Sequence, residues 1–483
     1  MVIGLVSVPI VLRSLGETDY GVYNVVSGIV TMLGFINYSL ASTTQRFLSF
    51  ELGKANLDKL KLIFSNSLLF YIVFSLLVVV IGETIGVWFI NSKLNIPETR
   101  MTAANWIFQF SIGSFVFSVL SAPFNAAIIA HEKMQAYAYI CIGEAVLKLL
   151  LVLSLLYITG DKLIIYGAFL MAASVLVFGG YYLYCRRNFA ECTFKLSFDK
   201  NTSKSLSSFA GWSIWGAFAN VIRNQGVNII LNQFYGVLVN AARGLAFQID
   251  SAINTLVQNF YSAVRPQIVK SYAEDSKKEM NNLVMLSTRI GFYLVFFFSL
   301  IMIIDAEFIL SLWLHDVPNY TVIFTRLAII GNLVLVLAQP LTMVIHATGK
   351  VARYQFISGL LGVLVLPVSY YLLKVYDDVL IPFLVIILNY LLYYILSLER
   401  TCRLTIFPLR NYLMVILRML VASAIIAGLS YFIISFVEGA WVRLIFLSFS
   451  VLIILIIVVF YIDMNYDERI KVKSWIANKI LKK

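Results

Sequence analysis

Four asparagines, Asn220, Asn224, Asn228 and Asn232, recur at intervals of four in an otherwise apolar stretch, with Arg223 and Gln225 among them. Each step of four turns a helix about 40° beyond a full turn, so the amides form a slowly winding polar ridge. A carboxamide both donates and accepts hydrogen bonds, which suits a partner dense in hydroxyls such as a sugar. The same amides would equally serve as glue between helices in lipid. Arg243, Asp250, Asn254 and Gln258 continue the polar series as far as Arg265. Arg243 and Asp250 are two turns apart on one face, so they could pair through a neighbour or straddle an anion. Nearer the start, Asn24, Ser27, Thr31, Tyr38, Ser42 and Gln45 lead in the same way to Arg46. Arg46 and Arg265 occupy comparable positions, and two facing arginines would suit a diphosphate, because guanidinium forks bind phosphate oxygens bidentately. Ordinary basic flanks of membrane helices are the competing reading. Glu144 and Lys148, one turn apart, predict an intrahelical ion pair that lowers the cost of burying either charge, with proton or sodium coupling through Glu144 as the alternative. Glu83, Arg289, Arg326 and Arg418 also lie within or near apolar runs.

The elements that carry these groups must be membrane helices. The 483 residues are 60% hydrophobic and 13% charged, with a mean hydropathy of +0.88, far from soluble domains. Apolar runs predict fourteen crossings, near 1–12, 20–43, 63–90, 103–130, 136–158, 162–184, 206–232, 236–262, 283–314, 320–346, 351–374, 378–398, 411–434 and 440–462. The first, about a dozen apolar residues before Arg13, is too short to cross and reads as a truncated helix. Three histidines and four scattered cysteines give neither metal spacing nor a disulfide framework. No Walker loop, zinc helix or nucleophile elbow occurs, so hydrolysis of ATP by this chain is not expected, and neither a cofactor nor an enzymatic activity.

The chain is also written twice. PFNAAIIAHEKMQAY at 123–137 returns 217 positions later as PLTMVIHATGKVARY at 340–354, and DKLII at 161–165 returns as DVLIP at 378–382. This predicts an all-α polytopic membrane protein with two parallel six-helix lobes and two C-terminal helices. The lobes are expected at 1–184 and 206–400, joined by a cytoplasmic linker at 185–205 and followed by two further crossings over 401–463. A basic amphipathic tail, 464–483, completes the chain and suits an anionic lipid surface. Of the 37 basic residues, 25 fall in one set of connections and the tail, against six in the opposite set. The richer side is therefore cytoplasmic, with both termini there. The net charge of +12 follows from topology and requires no nucleic acid.

The stretches VLRSLGETDYGVYNVVSGIV (11–30) and TTQRFLSFELGK (43–54) resemble the opening region of bacterial polysaccharide (O-antigen-type) repeat-unit flippases. These belong to the multidrug/oligosaccharidyl-lipid/polysaccharide exporter superfamily. The resemblance implies two six-helix bundles around a V-shaped cavity and two extra helices. It also implies transfer of an undecaprenyl-diphosphate-linked oligosaccharide, such as a lipopolysaccharide repeat unit, across the bacterial cytoplasmic (inner) membrane by alternating access. The implied partners are that lipid-linked substrate, membrane lipids and glycan assembly proteins. On this reading the substrate-binding residues are Arg46, Asn220, Arg223, Asn224, Asn228, Arg243, Asp250, Asn254 and Arg265, with Glu144 and Lys148 reserved for ion coupling. A multidrug/cation antiporter of the same superfamily is the alternative, and it requires an intramembrane carboxylate: Glu144, Asp250 or Glu83. Drug extruders commonly place an acid in their opening helices, whereas here the first 43 residues hold acids only at Glu17 and Asp19. A membrane glycan polymerase or ligase ranks last, since every outer loop is short.

Overall fold

The computed structural model describes residues 10–11, 14–31, 33–93, 96–193, 199–314, 317–464 and 469. The expected first partial span and the basic tail lie almost wholly outside them. Among the described residues the chain is helical without strands, and it divides into two compact units, Met1–Phe218 and Ala219–Lys483. Among the described residues ten helices are long and apolar enough to cross a bilayer, where lipid offers no partner for an unpaired backbone group and only complete helices satisfy the chain.

The first unit contains α1 (Glu17–Thr31), α2 (Gly34–Gly53), α3 (Leu57–Ile81), α4 (Val87–Lys93), α5 (Met101–Ala130), α6 (Met134–Ser154), α7 (Lys162–Asn188) and the start of α8 (Lys200–Ala273). The second holds the rest of α8, α9 (Lys277–Trp313), α10 (Thr321–Thr348), α11 (Ala352–Tyr376), α12 (Ile381–Leu404), α13 (Leu409–Ile434) and α14 (Ala440–Val458). The expected crossing at 20–43 is instead two helices, interrupted where Leu33 closes a turn onto Val30. Gly34 follows directly, and α2 then runs ten residues past the expected end.

The duplication is visible in the backbone. Left-handed residues recur in pairs: Gly16 (φ 80°) with Gly236 (φ 79°), Ala55 (53°) with Asp275 (57°), Glu132 (60°) with Gly349 (75°), and Gly160 (127°) with Asp377 (45°). The first two pairs are 220 positions apart and the last two 217. Helix ends close alike: Asn56 N–H bonds Glu51 and Ala55 N–H bonds Leu52, as Ser276 bonds Ser271 and Asp275 bonds Tyr272. These are Schellman closures, which need a left-handed residue just beyond the helix. Asp161 and Asp378, again 217 apart, each accept from the backbone N–H two residues on, at 3.1 and 2.9 Å. Even the imperfections correspond. A π turn, Gly82–Gly86, joins α3 to α4, and α9 breaks helical geometry at Asp305, which is 220 positions after Ile85.

Within each unit one proline-bearing helix is the hub. α5, with Pro123, packs most extensively on α7; α10, with Pro340, packs most extensively on α12. In the second unit α9 approaches α8 closely at Gly291, where a Cβ would land on the Tyr261 hydroxyl. Tyr261 is fully buried and donates to the Val336 carbonyl at 3.2 Å, so it cannot step aside. Gly291→Ala is expected to cost about 1–3 kcal/mol of stability through overpacking, read as a lowered melting temperature of the detergent-solubilised protein.

One end of the first unit is held by a charge fork. Arg100, in the turn before α5, donates to Asp19 of α1 (Nε to Oδ1, 2.7 Å) and to Asp161 ahead of α7 (Nη1 to Oδ2, 2.9 Å; Nη2 to Oδ1, 3.0 Å). Partial burial pushes the Asp161 carboxyl up. The Arg100 guanidinium and the backbone N–H groups of Ile164 and Leu163 outweigh that and hold it below its ordinary value. A depressed carboxyl contributes stability above its unfolded pKa, about 3.9, and loses it as the pH falls through the folded value. Melting followed from pH 7 to 3 should therefore show an acid loss in the wild type that is smaller in Asp161→Asn. Equal losses in both would exclude this fork as a source.

Candidate functional site

The corner at Gly236 builds the site. Its φ of 79° and ψ of −168° suit glycine alone, and they turn α8 back upon itself. Asn228 and Arg243 would be about 22 Å apart along a straight helix, yet Arg243 Nη1 donates to Asn228 Oδ1. The polar faces of the two limbs therefore meet within the second unit.

Arg223 lies at the centre of a network. Its Nη2 donates to Asn220 Oδ1 at 2.6 Å and to the Tyr390 hydroxyl at 3.4 Å; its Nη1 donates to Asn389 Oδ1 at 3.1 Å. The guanidinium stands 4.8 Å from the Tyr390 ring centroid. Asn389 on α12, itself buried, donates its Nδ2 to the Leu361 carbonyl of α11 at 2.8 Å. That bond fixes which way the amide points, so an oxygen always faces Arg223. Asn224 donates to Asn220 at 3.1 Å, and Asn228 donates to Gln225 at 3.1 Å. Gln225, Asn228, Asn232 and Gln233, together with Ile229, line an open recess of about 460 Å³.

Arg243 is 2% exposed and lies 4.3 Å from the Phe247 ring centroid. Its Nε and Nη2 have no hydrogen-bond partner among the described residues, and neither has Nε of Arg223. The two arginines carry like charge in one network and repel one another electrostatically. Neither forms an ion pair with a carboxylate among the described residues. A buried guanidinium beside a half-buried one, with donors to spare and no carboxylate counter-ion among the described residues, is an arrangement able to accept an anion.

Other expected residues lie elsewhere. Asp250, on the second limb of α8, faces Asn332 of α10, and its buried Oδ1 has no hydrogen-bond partner among the described residues. Asn254 accepts from Gln258 at 3.3 Å. Glu144 and Lys148 form an ion pair at 2.5 Å on a largely outward-facing α6. Glu83 accepts from Gln109 at 3.0 Å. Arg46 is 7% exposed in the first unit, wedged 4.6, 4.9 and 5.6 Å from the ring centroids of Phe47, Phe50 and Phe209. The expected equivalence of Arg46 with Arg265 fails by one residue. Counted from the matching corners at Ala55 and Asp275, Arg46 corresponds to Pro266 and Arg265 to Gln45. Both helices run unbroken to those corners, and one residue is about 100° of rotation. Sequence reasoning missed Asn389 and Tyr390; the only signal was a lone amide in the apolar run of α12.

Residues 1–272, more than half of the chain, match the polysaccharide biosynthesis protein family. The chain belongs to that family. Residues 218–371 also match the MatE family. No curated protein matches the chain in sequence. In three dimensions this family member is similar to an outward-facing multidrug resistance MATE transporter of the MOP superfamily, with a TM-score of 0.70 and 13% identity over 84% of this chain and 92% of that one. It is similar to a MOP-superfamily transporter from Pyrococcus furiosus (TM-score 0.64, 14% identity, 83% and 95% covered). A third likeness is to the MATE transporter ClbM in complex with Rb+ (TM-score 0.68, 15% identity, 86% and 95% covered). The fold of this polysaccharide biosynthesis protein is thus that of the MOP-superfamily transporters, and it is a multi-pass membrane protein.

Proposed function

We propose that this polysaccharide biosynthesis protein is a flippase. It carries an undecaprenyl-diphosphate-linked oligosaccharide, such as an O-antigen repeat unit, from the cytoplasmic to the outer leaflet of the bacterial cytoplasmic membrane by alternating access. The observation that carries the reading is the pair formed by buried Arg243 and half-buried Arg223, neither with a carboxylate partner among the described residues. A diphosphate supplies the missing charge and accepts the spare N–H donors. The amides of Asn220, Asn224 and Asn228 offer donors and acceptors to adjoining sugar hydroxyls, and the polyprenyl chain stays in lipid. No bond is made or broken, so the protein acts as a transporter with both termini cytoplasmic, alongside the proteins that assemble the glycan. Proteoliposomes containing only this protein are expected to transfer the lipid-linked oligosaccharide. Folded protein with no transfer above empty vesicles would sink the proposal.

A second reading, a cation-coupled drug antiporter, draws on the buried Asp250 carboxylate beside Asn332. It requires drug efflux that moves protons or sodium and that Asp250→Asn abolishes. Glu144 serves neither reading as a site: it pairs with Lys148 one turn away on α6, and that pairing lowers the cost of holding either charge in the membrane. Glu144→Gln is accordingly expected to leave the rate of oligosaccharide transfer unchanged.

A further inference from the structure

Arg223 is held by neutral acceptors. Among the described residues its guanidinium donates to three oxygens, those of the Asn220 amide, the Asn389 amide and the Tyr390 hydroxyl, at 2.6, 3.1 and 3.4 Å, and none of the three is a carboxylate. Asn220 stands three residues away on the same limb of α8, so it turns with the arginine. Asn389 and Tyr390 belong to α12 and hold the guanidinium from a second helix.

Asn389 is 6% exposed, and both ends of its amide are committed: Nδ2 donates to the Leu361 carbonyl of α11 at 2.8 Å, which leaves Oδ1 for Arg223. The amide cannot turn over without losing both bonds. Tyr390 is also buried, and its ring rests on Gly331 of α10, where a Cβ would stand 3.3 Å from two ring carbons. Arg223 therefore meets a firm surface on α12.

Charged side chains within membrane helices commonly pair with one another, because pairing lowers the cost of holding either charge away from water. Aspartate has the shape of asparagine. At position 389 it would set a counter-charge across the 3.1 Å that now separates the amide oxygen from Nη1, and the attraction would be strong in a medium of low dielectric. Asparagine supplies the same aim without that charge, so the cation stays unmatched inside the protein.

We propose that Asn389 is a positioning residue of the anion site, aiming the Arg223 guanidinium while its neutrality keeps the positive charge open to the diphosphate. The inference rests on the reading of Arg223 and Arg243 as that site.

The test follows the melting of the full-length, detergent-solubilised protein as farnesyl diphosphate is added. Asn389→Asp should lower its affinity about ten- to a hundredfold, the value of one hydrogen bond to a charged group. Asn389→Leu, which removes the aim and adds no charge, should lower it about two- to tenfold, the value of a neutral bond. In an Arg223→Met background Asn389→Leu should cost nothing more, because Asn389 acts through Arg223. A residue kept for packing would add its loss in either background, so additive losses overturn the proposal, as does wild-type affinity in Asn389→Asp. Asn389→Asp preserves volume, so it decides the matter even if the leucine variant fails to fold. A wild type that binds no farnesyl diphosphate would remove the anion site and this role together. Binding that Arg243→Met weakens and Asn389→Asp does not would remove this role alone.

Discussion

Arg243→Met is expected to lower the affinity for a diphosphate-headed substrate by about ten- to a hundredfold, since a hydrogen bond to a charged group is worth roughly 1.5–3 kcal/mol. Arg223→Met should behave similarly, and the double variant should lose less than the product of the two, because both guanidiniums act on one ligand. Stability is the more discriminating reading. An arginine kept for packing would destabilise the protein when removed. Arg243 instead has unpartnered donors and a repelling neighbour in Arg223, so its loss should leave the substrate-free melting temperature unchanged or raised. Added substrate should then stabilise the wild type and not the variant, by mass action. Titration of a soluble diphosphate headgroup analogue, followed by melting, measures both. Undiminished affinity in Arg243→Met would remove the anion site from the account.

The largest effect on stability is expected from Arg443→Ala. Asp305 is fully buried, and Arg443 is its ion-pair partner; breaking such a pair from one side leaves an uncompensated charge, at a cost of about 3–5 kcal/mol. Asp305 also stands at the break in α9, where Arg326 of α10 donates its Nε to the Ile303 carbonyl at 3.0 Å, capping a group that the break exposes. Unfolding should therefore begin where α9, α10 and α14 meet. The double variant Asp305→Leu, Arg443→Leu should recover most of the loss, since replacing both charges by apolar groups is often neutral. Thermal denaturation of the three variants beside the wild type measures this, and a double variant no better than Arg443→Ala would show that the charge itself is not what matters.

The helices were legible because lipid imposes one rule on all of them, about 20 apolar residues per crossing. The expected spans 103–130 and 351–374 became Met101–Ala130 and Ala352–Tyr376. Where the rule is silent, reading failed, as at the interruption between α1 and α2, which leaves hydropathy unchanged. The candidate site was half legible. Polar groups in apolar stretches marked Arg223, Arg243 and the amides around them. Which arginines meet was not visible, because that depends on a single glycine torsion at Gly236 and on Asn389, 166 positions from its partner. Arg46 and Arg265 are 219 positions apart, which matches neither the 220 of their own hairpin nor the 217 of the other. One residue of slippage, about 100° of rotation, suffices to misplace a helix face.

The matching irregularities in α3 and α9 carry a mechanical consequence. Each unit has a compliant joint at the same register, the π turn Gly82–Gly86 in one and Asp305 in the other. Among the described residues only the second is clamped by an ion pair to a helix beyond the repeat, Arg443 of α14; at the first, Glu83 accepts from the Gln109 amide. Two joints of common design therefore have unequal stiffness. Bending should start at the first, and amide hydrogen exchange should run faster around Gly82–Gly86 than around Asp305.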